Sequence, residues 1–190
     1  MGVFIPLSVS DQELAKLCKK NRKEGYELLF GRFQRYIYSV CYSYTGAREE
    51  ALDLTQEVYL KIYRAMQSFE EGRPLLPWIK RITVNTCLNH QRQQRPPEVA
   101  LLEIHEADSG SNPEVVLVRE NDHKALQAAI RQLPERERMA MVLRHMKGLS
   151  YDEVAGMMSC PLGTVKTYLY RGRKMLRQAL RDNGVWGDDI

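Results

Sequence analysis

Along most of this chain apolar residues recur at steps of three and four, the spacing that gives a helix one buried stripe. Ser10 followed by Glu13 is a capping box that opens a short helix with Leu14, Leu17 and Cys18 inward. After a polar break at 21–25, Tyr26, Leu29, Phe30, Phe33, Ile37, Val40, Cys41 and Tyr44 mark a long helix, and Gly46 ends it in the position just past the last turn. An aromatic stripe at this spacing reads as core.

A second long helix is expected over about 47–68, buried through Leu54, Val58, Ile62 and Ala65. A different stripe on it, Leu52, Asp53, Gln56, Glu57 and Leu60, mixes apolar and polar groups on the open face. Phe69 closes this helix, and residues 70–77 read as a loop with two prolines and a glycine. Trp78 then starts a third helical segment, with Ile79, Ile82 and Thr86 inward and Lys80, Arg81, Asn85, Asn89, Arg92 and Arg95 on the polar side. A tryptophan beside basic residues at a loop–helix junction suits stacking on unpaired bases. Packing in the core is the other common fate of such a residue. Pro96 and Pro97 stop the helix.

From there to about residue 117 the chain is acidic and aperiodic, which reads as a flexible linker. The expected architecture is all-α, with two small helical domains at about 10–95 and 118–182 joined by the 96–117 linker. The second domain begins with a helix over 123–133 and another over 134–147, closed by Gly148.

The most informative stretch follows. Ser150 and Glu153 form another capping box, and Val154, Ala155 and Met158 share one face of a short helix. Pro161 opens the next helix, where its missing N–H costs little. Leu162, Val165, Leu169, Gly172, Leu176 and Leu180 make the apolar back. The front carries Thr164, Lys166, Thr167, Tyr170, Arg171, Arg173, Lys174 and Arg177, without an acid among them. This is the pattern of a helix-turn-helix whose second helix reads a major groove.

Charge distribution adds a second reading. The chain has 190 residues and a formal net charge of +4. Positive blocks at 73–95 and 166–181 flank the acidic segment 98–122, so two separate places are expected to meet a polyanion. Cys18, Cys41, Cys87 and Cys160 lie far apart with no ligand-spaced histidine, which predicts free thiols and neither a disulfide framework nor a metal site. No apolar run approaches a membrane span, and the first residues lack the features of a signal peptide. A cytoplasmic protein is expected. His90, His105, His123 and His145 are scattered without nucleophile or carboxylate partners, so no catalytic centre and no cofactor is predicted.

Taken in order, LDLTQEVYLKIYRAMQSF, PWIKRITVNTCLNHQRQQR, the acidic linker and LPERERMAMVLRHMKGLSYDEVAGMMSCPLGTVKTYLYRGRKML resemble an extracytoplasmic-function (group 4) sigma factor of bacterial RNA polymerase, in the sigma-70 family. The resemblance covers about residues 25–180. It implies that Leu52, Asp53, Gln56, Glu57 and Leu60 dock on the clamp helices of the polymerase β′ subunit, and that region 4 meets the β flap. It implies that Trp78, Lys80, Arg81, Asn85, Asn89 and Arg92 open the −10 element and hold a flipped base of the non-template strand, with Asn85 at the base pocket. It gives −35 recognition to Thr164, Lys166, Thr167, Tyr170, Arg171 and Lys174. It further implies an anti-sigma factor as a partner and no small-molecule substrate. The proline-rich loop 70–77, the missing alanines over 83–87 and His90-Gln91 in place of more basic residues depart from the family pattern and bear on which promoter is read. The alternative is a helix-turn-helix regulator that binds duplex DNA without serving as a polymerase subunit; such a protein would have no use for Asp53, Gln56 and Glu57 as a docking stripe.

Overall fold

The computed structural model describes residues 9–92 and 120–182, and every regular element among them is helical. The expected linker lies outside the described residues. Helix α1 (Asp11–Lys19) opens on the expected capping box, with the Glu13 N–H donating to Ser10 Oγ at 3.2 Å and the Ser10 N–H donating to Glu13 Oε2 at 3.0 Å. Helix α2 (Lys23–Thr45) ends at Gly46, whose φ of 66° is left-handed and whose N–H donates to Tyr42 O at 2.8 Å.

Helix α3 (Arg48–Ala65) follows the short turn, packs on α2 and buries Leu54, Val58 and Ile62. Ala65 is only half-buried, and Met66, in the 3-10 turn Met66–Ser68, takes over the end of the stripe. Helix α4 (Leu75–Arg92) closes the first half with Ile79, Val84 and Cys87 inward. It starts three residues before the expected Trp78. Pro77 sits in the first turn, where its missing N–H is harmless, and Asp11 Oδ2 accepts from the Leu75 N–H at 2.8 Å.

In the second half, α5 (Glu120–Gln132) leads into α6 (Glu135–Met141). The expected single helix over 134–147 instead changes into a π turn at Val142–Met146, with the Lys147 N–H donating to Val142 O at 3.1 Å. The Arg144 guanidinium holds the widened turn by donating to Leu149 O at 2.8 Å and lying 5.0 Å from the Tyr151 ring. Helices α7 (Tyr151–Met158) and α8 (Leu162–Asp182) form the helix-turn-helix. Gly172 lets α8 approach α6: a Cβ there would stand 2.9 Å from Met141 Cγ.

The two halves are packed together, a contact the sequence does not predict. Buried apolar side chains of both form one continuous cluster. At its edge Lys147 Nζ donates to Ser39 Oγ at 3.1 Å, the Arg138 guanidinium lies 5.2 Å from the Tyr44 ring, and Arg131 donates to Gly46 O.

Candidate docking and nucleic-acid surfaces

The mixed stripe on α3 is a surface. Leu52 is 43% exposed and Leu60 54%, and Asp53 and Gln56 are exposed between them. Large apolar groups held in water next to a carboxylate and a carboxamide make a face suited to a protein partner. Glu57 stands at its border. Lys61 Nζ is 2.6 Å from its carboxylate and His90 Nδ1 of α4 is 3.6 Å away, so the carboxylate is oriented from two elements. Sequence reasoning missed Tyr63, which continues the same face three residues after Leu60 and is 49% exposed. Its ring lies 5.0 Å from Tyr26, and the step of three from Leu60 signals it in hindsight.

On α4, Arg81, Asn85 and Asn89 lie exposed on one line, four residues apart, and Lys80 is half-buried beside them. Arg92 belongs to the same helix. Trp78 is half-buried, its ring tilted 54° against Phe69 at 4.8 Å. It therefore packs with one side and keeps the other partly accessible. Lys80 Nζ lies 5.3 Å from the Tyr36 ring, which steadies the cation without neutralising it.

The helix-turn-helix is built as its sequence suggests. The Ser150–Glu153 box starts α7, with bonds of 3.2 and 2.8 Å. Ser159 ends it in the left-handed region at φ 51°, and the Pro161 carbonyl accepts from Thr164 and Val165 to start α8 one residue later than expected. Val165, Leu169, Gly172, Leu176 and Leu180 are buried, whereas Leu162 is 37% exposed. Lys166, Tyr170 and Lys174 point outward, with Thr164, Thr167 and Arg171 half-buried along the same face. The Thr167 hydroxyl donates to Gly163 O at 3.0 Å, which leaves its oxygen to act as an acceptor only.

Between the halves, Asn85, Leu88 and Asn89 of α4 face Glu135, Arg136, Met158 and Ser159 across a cleft of about 280 Å³. Arg81 Nη2 donates to Ser159 Oγ at 3.2 Å at its edge. None of the residues on the far wall carries a sequence signal for this position. Among the described residues no cluster of metal-binding side chains occurs and no helix is long and apolar enough to cross a membrane.

Two family models match in chain order, sigma-70 region 2 over residues 29–96 and sigma-70 region 4 over residues 123–176. The RNA polymerase sigma-H factor of Pseudomonas aeruginosa is 33% identical over 90% of this chain and 94% of its own length. The ECF RNA polymerase sigma-E factor of Escherichia coli K12 is 35% identical over 88% of this chain and 93% of its own. The fold is similar to CnrH solved with the cytosolic domain of CnrY, at TM-score 0.59 and 17% identity over 90% of this chain and 97% of that one. It is similar too to RpoE of Bartonella quintana solved with the anti-sigma factor NepR, at TM-score 0.58 and 23% identity over 83% and 98%. The chain belongs to the extracytoplasmic-function sigma factors of the sigma-70 family. Its function is to bind core RNA polymerase and direct initiation at promoters. A helix-turn-helix regulator acting apart from polymerase is not favoured.

Proposed function

We propose that the two promoter elements and the polymerase are divided among three faces of this chain. Residues 10–95 act as the −10 and docking unit and residues 118–182 as the −35 unit, with 96–117 as the connection. Leu52, Asp53, Gln56, Glu57 and Leu60, extended by Tyr63, take the polymerase clamp. The observation that carries this reading is the exposure of Leu52 and Leu60 on either side of Gln56, an apolar cost in water that a covering partner removes.

Arg81, Asn85 and Asn89 then hold melted non-template bases, with Lys80 and Arg92 on phosphates and Trp78 stacking. Unstacking a base costs a few kcal/mol, which a pocket with carboxamide and stacking partners offsets. On α8, Lys166, Tyr170, Arg171 and Lys174 with Thr164 and Thr167 read the −35 duplex, where cations fix register on phosphates and side-chain donors choose bases. The chain itself carries out no chemistry; phosphoryl transfer belongs to the polymerase, and the place of action is the cytoplasm. An anti-sigma factor that covers the α3 stripe is the regulatory partner, a reading supported by the complexes in which its fold relatives were solved.

The deciding experiment is transcription in vitro with sigma-free core enzyme on a pool of random promoter fragments, with the start sites sequenced. New starts that share −10 and −35 sequences are expected. Absence of any start dependent on this chain overturns the reading.

A further inference from the structure

The line of cations on α8 runs on past the residues that read the duplex. Lys166, Tyr170, Arg173 and Arg177 follow one another at steps of four, three and four, and each is exposed. Arg173 lies ~10 Å along the axis beyond Lys166, against a major groove ~12 Å wide. With Lys166 among the base edges, Arg173 therefore reaches the rim of the groove, where a phosphate strand runs.

The π turn Val142–Met146 supplies the groups around Arg173. It leaves His145 and Met146 exposed, and Arg144 is fixed beside them by its bond to Leu149 O and its place 5.0 Å from the Tyr151 ring. Partial burial of the ring, then the guanidinium of Arg173 from α8, then that of Arg144, hold the His145 imidazole below its usual pKa of 6.5. The other elements packed on the turn bring no countercharge to it. Lys147 turns to Ser39 of α2, Arg138 of α6 lies on the Tyr44 ring, and Glu153 of α7 folds back on Ser150 beside the exposed Asp152. Among the described residues no carboxylate lies within ion-pair distance of His145. An imidazole under the field of two guanidiniums, with no acid to offset them, is a place for an anion.

We propose that His145, with Arg144 and Arg173, grips a backbone phosphate of the promoter duplex at the edge of the −35 element, and that the ring takes up a proton as it does so. The inference rests on the reading of α8 as the duplex-reading helix. In the free chain the guanidiniums favour the neutral imidazole; a phosphate set among them reverses the local field and favours the imidazolium. Proton uptake on binding means that duplex affinity rises as pH falls.

The test measures binding of the full chain to fluorescent duplex oligonucleotides of random sequence by anisotropy, since a phosphate contact needs no particular sequence. Wild-type affinity is expected to rise from about pH 8 to about pH 6, by up to about tenfold per unit between the free and bound pKa of one imidazole. His145→Gln should lose that rise and match the wild type at the alkaline end. His145→Lys, charged throughout, should match the acid wild type at both ends. At the acid end the salt slope of the wild type should exceed that of His145→Gln by about one, a difference that a purely structural role for the ring would not produce. The same pH dependence in wild type and His145→Gln, or no gain of His145→Lys over His145→Gln, overturns the phosphate contact. Lys166→Ala with Lys174→Ala tests the reading beneath it. If that pair leaves duplex affinity unchanged while His145→Gln still removes the pH dependence, the phosphate contact stands and the duplex-reading role of α8 fails.

Discussion

Asp11 Oδ2 accepts from the backbone N–H of Leu75 at 2.8 Å, so the first residue of α1 caps α4, the helix proposed to hold the melted strand. Pro74 precedes Leu75 and has no side-chain acceptor to offer, and Leu75 is fully buried, so this N–H has no route to water. The other Asp11 oxygen pairs with Arg32 at 3.1 Å, a partly exposed ion pair that contributes less than the cap. Asp11→Ala is expected to lower stability by ~1–2 kcal/mol. Asp11→Asn, which keeps a carbonyl acceptor, should recover most of it. Denaturant titration of the three proteins checks both statements.

The α3 stripe makes a different demand. Asp53 and Gln56 are exposed and lie outside the ion pairs that orient Glu57, so Asp53→Ala with Gln56→Ala should leave the thermal midpoint within a degree or two while abolishing co-purification with core polymerase. Undiminished co-purification would remove the docking role from this stripe. Tyr63→Ala should weaken association as well, with a modest loss of stability because its ring also packs on Tyr26.

On α8 the contacts differ in kind. Lys166→Ala and Arg171→Ala should each cost about 1–3 kcal/mol of −35 recognition where the side chain reaches a base edge. A contact to phosphate alone gives a smaller loss spread evenly over sequences, with the salt slope reduced by about one. Holoenzyme binding to a panel of −35 variants at two salt concentrations distinguishes the outcomes.

Acid should act through the capping boxes. Hydrogen bonds from Ser150, then the charge of Lys80, hold the Glu153 carboxyl below the unfolded value near 4.5, and Ser10 does the same for Glu13. A depressed carboxyl binds its proton less readily in the folded chain, so its stabilisation is present above 4.5 and is lost as pH falls through the lowered folded value. Glu153→Gln should therefore flatten part of the acid limb of the stability curve and leave the neutral plateau with its Ser150 cap. Midpoints of urea unfolding across that pH window provide the measurement; an acid limb as steep as wild type would show that the box does not titrate as described.

The helical stripes were legible because each is a local pattern: Leu54, Val58 and Ile62, or Val165, Leu169 and Leu176, need no distant partner to be recognised. The turn at Gly46 and both capping boxes are legible for the same reason. The start of α4 was not, because its cap comes from Asp11, 64 positions earlier. Nor was the π turn after Met141, which follows from Arg144 tying Leu149 and Tyr151 across a loop, a tertiary arrangement without a sequence period. Tyr63 escaped notice as one more aromatic on a helix with a long apolar face. The contact between the halves was hidden most completely. Arg131, Arg138 and Lys147 look like any solvated cations until their partners Gly46, Tyr44 and Ser39 are placed beside them.

Three of the four thiols, Cys18, Cys41 and Cys87, are sealed in the first half, whereas Cys160 lies half-exposed at the bend beside the residue that grips Arg81. The unmodified polypeptide thus carries a built-in reporter: a thiol-reactive dye should mark one sulfur first, and its rate of attachment should quicken whenever the bend lifts away. Comparing that rate in the free chain and in the complex with polymerase reads the exposure of the bend in each state without altering a single amino acid.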